Sequence, residues 1–66
     1  MLQINNTMND LELGQEIQII TDYGDGHQFH YLEICEVTSV CTDGLIYAQS
    51  EESGEWILAN KDYIIL

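Results

Sequence analysis

Like-charge repulsion opposes every compact form of this chain, because its 66 residues carry twelve Asp and Glu against a single cation, Lys61, for a net charge of −11. Such a chain folds only if buried apolar side chains offset that repulsion. Here 45% of the residues are hydrophobic, whereas acidic disordered tails are poor in Ile, Val, Leu and aromatics. A globular domain is therefore expected. The length allows one domain, and at this size folding removes only about 60% of the surface that the unfolded chain exposes, so the stability margin is small.

The local pattern is that of short strands punctuated by turns. In "TMNDLELG", Thr7 with Asp10 three residues on resembles an N-cap pair and Gly14 supplies a stop, which predicts one helical turn. Leu2 and Ile4 allow a short edge strand before it. From Gln15 the stretch "QEIQIIT" alternates with period two and reads as a first strand over 15–21, with Ile17 and Ile19 on one face. "DYGDGH" is turn chemistry and should form an exposed acidic loop. "QFHYLEICEVTSVC" reads as one long strand whose apolar phase runs Leu32, Ile34 and then Val37, a slip that predicts a bulge near Cys35 and Glu36. Asp43 and Gly44 carry a hairpin signal. "LIYAQS" is then a third strand, "EESG" a turn, "EWILA" a fourth strand, and "NKDYIIL" a short turn with a closing strand. The expected core is Ile17, Ile19, Leu32, Ile34, Val37, Ile46, Ala48, Leu58 and Ile64.

This order of five short strands resembles a small antiparallel SH3-like barrel. "DLELGQEIQI" is similar to the entry of such barrels, and "LANKDYIIL" to the 3-10 turn that leads through a Tyr into their last strand. The resemblance implies an all-β fold with an N-terminal arm and helical turn over 1–14 and a barrel over 15–66. Peptide-binding SH3 domains carry a run of aromatics in the first loop and a Pro before the final Tyr. Here the loop offers Tyr23 and the chain has no Pro, so binding of proline-rich ligands is not expected.

Catalytic and metal chemistry find little support. His27, His30, Cys35 and Cys41 fall within fifteen residues, but at spacings unlike the short repeated pairs of zinc sites, so no metal and no cofactor are expected. The two imidazoles are read as surface groups and the two thiols as core or near-core. The surrounding carboxylates disfavour a reactive thiolate. Paired acids such as Glu51 and Glu52 read as a solvated turn, because a domain of this size hardly encloses a substrate cleft. The chain is thus read as a non-enzyme. Residues 1–13 lack a basic start and a continuous apolar run, which points to a reduced cytoplasmic setting; no stretch approaches the ~20 apolar residues of a membrane span.

The acidity itself is the remaining signal. A net charge of magnitude about 2–8 normally suffices for solubility, so −11 points to a partner that benefits. Duplex DNA presents one negative charge per about 1.7 Å of axis and is held in clefts of Arg and Lys; a rigid acidic domain suits the same clefts. In size, acidity and architecture the chain resembles the DNA-mimic inhibitors of bacteriophages and mobile elements, such as anti-restriction and anti-CRISPR proteins. That resemblance implies a basic nucleic-acid-binding protein as partner and no direct contact with nucleic acid or membrane, in a monomer or homodimer. The expected contact residues are Asp22, Tyr23, Asp25, Glu33, Glu36, Asp43, Glu51, Glu52 and Glu55. The alternative is a small acidic interaction or regulatory module without mimicry. Lys61 is expected to relieve repulsion locally beside Asp62, while Trp56 reads as core and Tyr63 as the better surface aromatic.

Overall fold

The computed structural model describes residues 11–22, 24 and 26–66. The proposed strand at Leu2 and Ile4 and the start of the helical turn at Thr7 lie outside the described residues. Where that helical turn was expected to end, residues Glu12 to Gln15 instead make a β-turn. The Gln15 N–H donates to the Glu12 carbonyl at 3.1 Å, and Gly14 supplies the positive φ of 87° that such a turn needs at its third position.

Among the described residues five strands form one antiparallel sheet: β1 (Glu16–Ile19), β2 (Ile34–Val40), β3 (Ile46–Ser50), β4 (Gly54–Leu58) and β5 (Tyr63–Ile65). A 3-10 turn, Asn60–Asp62, precedes β5. The strand order across the sheet is β4-β3-β2-β1-β5. The Asp43 and Gly44 hairpin joins β2 to β3 as its sequence requires, with the Asp43 carboxylate accepting from the Leu45 N–H at 3.1 Å.

One face of the sheet carries the core. Ile17, Ile19, Val37, Ile46, Ala48 and Leu58 are buried as the alternation demanded. Three expected core positions are not: Leu32 is 49% exposed, Ile34 44% and Ile64 46%. Their places are taken by Cys35, Phe29 and Tyr63, all buried. The correction has one cause in β2. Residues 31–32 form a turn and Leu32 adopts a left-handed φ of 71°, so the strand begins at Ile34 and its inward phase is Cys35 and Val37. A small apolar thiol packs as a core side chain, and the register shift falls between Val37 and Ser39, later than Cys35 and Glu36. At the other edge, Ile19 pairs with Tyr63 and Gln18 with Ile64. Residues directly paired share a face, so Tyr63 turns inward and Ile64 outward. Trp56 pairs with Ala48 and lies on the core side, but on an edge strand, where 37% of it stays exposed.

His27, expected at the surface, is fully buried beside Phe29, with ring centroids 5.7 Å apart. Its Nδ1 accepts from the Phe29 N–H at 3.0 Å, so the neutral ring carries its proton on Nε2, which faces the Thr21 hydroxyl at 2.9 Å. Thr21 in turn donates to Asp62 Oδ1 at 2.9 Å, and Asp62 Oδ2 accepts from the Ala59 N–H at 2.9 Å. Lys61 donates to Asp62 at 2.9 Å, the local relief of repulsion that their adjacency implied. This buried polar chain fastens the loop after β1 to the 3-10 turn before β5. Every acceptor in it has a donor, as burial demands.

Candidate contact surface

The strand registers assemble a row of acids that no single strand contains. Glu16 on β1 lies opposite Glu36 on β2, Glu36 lies opposite Gln49 on β3, and Gln49 lies opposite Glu55 on β4. Paired residues share a face, and all four of these are exposed. Neighbouring strands are about 4.8 Å apart, so Glu16 and Glu55 stand roughly 14 Å apart along the sheet. Like charges directly opposite each other destabilise a pair of strands, and Glu16 with Glu36 is such a pair. The bulge in β2 contributes to the row: Thr38, the residue left out of the ladder between Val37 and Ser39, donates from its hydroxyl to Glu55 Oε2 across β3.

Apolar side chains flank the row on the same face. On one side Gln18 pairs with both Ile34 and Ile64, and the Gln18 side-chain amide reaches the Leu32 carbonyl at 3.1 Å. On the other, Tyr47 pairs with Ile57, and each is more than one-third exposed.

The other expected contact residues are placed differently. Asp43, Glu51 and Glu52 sit in turns and Asp22 in the loop after β1, and all four are exposed. Tyr23 and Asp25 lie outside the described residues. Glu33 precedes β2 and is largely covered: its carboxylate accepts from the His30 N–H at 2.8 Å and from the Ser53 hydroxyl at 2.9 Å, and also from the Ser50 hydroxyl. Burial alone would raise the Glu33 carboxyl, but the donors from Ser50, the His30 backbone, Ser53 and the His30 ring together hold it below the ordinary carboxylate range. Glu33 therefore ties the end of the first loop to the β3–β4 turn. His30, Glu33 and Glu52 bring their ligand atoms within 4.8 Å of one another. A cation there would compete with the hydroxyl and amide donors that already occupy Glu33.

Both cysteines are free thiols. Burial pushes the Cys35 thiol up to about 12, with the charge of Glu33 adding to it. Desolvation thus outweighs the acidic field as the reason why Cys35 is a poor nucleophile.

Glu16 was absent from the residues expected to make contact, and so was the partnership of Glu36 with Glu55. Part of the row could be reached from the two hairpins: the Asp43 and Gly44 turn, carried back through one bulged residue, sets Glu36 against Gln49, and the β3–β4 turn sets Gln49 against Glu55, whereas Glu16 joins the row only through the pairing of β1 with β2. Comparison of the chain with protein-family models, with curated proteins and with solved structures finds no match. Among the described residues no helix is long and apolar enough to cross a membrane.

Proposed function

We propose that this protein is a non-catalytic acidic inhibitor whose carboxylates stand in for nucleic-acid phosphates and block the basic DNA- or RNA-binding cleft of a larger protein, of the kind that phages and mobile elements direct against host defence complexes. The observation that carries the reading is the row Glu16, Glu36 and Glu55 across four adjacent strands. It fixes three acids on a rigid scaffold at intervals of about 5 and 10 Å, the same order as the 3.4 Å of axis per charge on one DNA strand. With a net charge of −11, the surrounding field would speed encounter with a basic cleft. A cytoplasmic site of action accords with the two free thiols.

The finer fold belongs to the same proposal. We read the sheet as an SH3-like barrel. Its support is the strand order β4-β3-β2-β1-β5, the irregularity midway along β2, which lets one strand serve β1 with its first half and β3 with its second, and the 3-10 turn that feeds β5. The apolar residues beside the acids favour a second reading, an acidic interaction module that holds its partner without imitating DNA.

Capture of partners from a host lysate at low salt separates the two. Mimicry predicts that excess duplex DNA elutes the captured protein. Retention of that protein with DNA bound to it at the same time would support the interaction module instead.

A further inference from the structure

The sheet face opposite the core presents two kinds of surface that a chain of this composition has no structural reason to join. One is the acid row of Glu16, Glu36 and Glu55, with Glu16 set against Glu36 despite the repulsion. The other is the apolar pair Ile34 and Ile64 on either side of Gln18, next to the turn at Leu32 whose carbonyl receives the Gln18 amide, all three between two-fifths and one-half exposed. Leu32 is the informative member. Among the described residues it is the only non-glycine at positive φ, a conformation that Gly or Asn would adopt with less strain, and its side chain is nevertheless a large exposed hydrophobe. A strained backbone carrying an exposed apolar group is the kind of feature that marks a contact site.

We propose that this outer face, more than the acids at the loop tips, is the docking surface, and that its occupant is a protein surface on which Arg or Lys side chains border an apolar projection. Charge selects that class of occupant. A second copy of the chain would bring another −11 to the face, and nucleic acid or an anionic membrane would be repelled in the same way. A purely cationic surface would leave Ile34, Ile64 and Leu32 without partners. A cleft that binds nucleic acid commonly lines its basic groups with apolar and aromatic side chains on which bases stack, so the inference deepens the proposed inhibitory role and rests on it for the partner's identity, though not for the location of the face.

The test uses the full chain, labelled with 15N, and two synthetic helical peptides of equal Arg content. One places Leu beside the Arg stripe and the other replaces each Leu with Ser. The Arg/Leu peptide is expected to bind at least ten-fold more tightly and to move the amide signals of residues 16, 18, 34, 36, 55 and 64. The double variant I34S/I64S should lose that preference while keeping its affinity for the Arg/Ser peptide, and E16K/E36K should weaken both; the dispersion of the amide spectrum reports whether each variant is folded. Equal affinity of the wild-type protein for the two peptides, or signal changes confined to Asp22, Asp43 and Glu51, would overturn the assignment of the face whether or not the variants fold. Neither peptide measurement involves DNA, so simultaneous binding of DNA by a captured partner would defeat the mimic reading and leave the docking face standing.

Discussion

Asp62 shows how a protein with so much negative charge uses one acid for its own stability. Its carboxylate is buried and yet ionised to lower pH than usual: burial would raise it, but the Ala59 N–H, the Lys61 ammonium and the Thr21 hydroxyl outweigh that effect, with the charge of Lys61 adding to them. Because the folded carboxyl titrates below the unfolded value of about 3.9, its stabilisation is complete above that value and is lost as pH falls through the lowered one. Asp62→Asn should therefore cost about 1–3 kcal/mol at pH 7, with the gap to the wild type narrowing below about pH 4. Urea unfolding of both proteins at pH 7 and pH 3 measures it, and an equal gap at the two pH values would contradict the assignment. The same carboxylate is linked to His27 through the Thr21 hydroxyl. With Nδ1 accepting from Phe29, 15N chemical shifts of the neutral imidazole should report the Nε2–H tautomer, and an Nδ1–H tautomer would break the proposed chain of donors.

The turn into β2 is where element and surface meet. Leu32 at φ 71° bears strain of roughly 1–2 kcal/mol, offset in part by whatever contact its half-covered side chain makes. Leu32→Gly should raise thermal stability by about 1 kcal/mol while weakening binding at the outer face. A loss of stability of similar size would show that Leu32 serves packing first. The same turn explains which elements were legible in the sequence and which were not. The alternation of "EIQI" and the Asp43 and Gly44 signal located the β2–β3 hairpin and β1, which covers Glu16–Ile19 of the expected 15–21, since period-two burial and an Asp-Gly turn act locally. Leu32 and Ile34 misled because leucine and isoleucine are exposed here, while Cys35 supplies the core contact. Tyr63 and Ile64 were inverted because the phase of a three-residue strand is set by its pairing with β1, which short-range pattern does not contain. His27 was read as a surface group on polarity alone, and what buries it with Asp62 is the tertiary pairing of two loops through Thr21. The acids themselves were legible, but their alignment into a row required the register.

At the scale of the whole molecule, the carboxylates of the described residues divide into those that hold the fold, Glu33 and Asp62, those in turns and loops, and the row on the sheet. The proposed function makes the third group decisive. Charge-assisted contacts to Arg contribute roughly 1.5–3 kcal/mol each when desolvated and less on a wet rim, so a fixed row of three outweighs scattered loop acids of equal number. The most direct measurement compares two triple charge reversals of equal net charge in the capture experiment: Glu16→Lys with Glu36→Lys and Glu55→Lys against Asp22→Lys with Asp43→Lys and Glu51→Lys. The first set should lose the partner that duplex DNA displaces from the wild-type protein, with an affinity reduced at least a hundred-fold, about 2.7 kcal/mol, while the second retains it within about ten-fold, about 1.4 kcal/mol. Equal losses from the two sets, or a captured partner that duplex DNA fails to displace, would contradict the account.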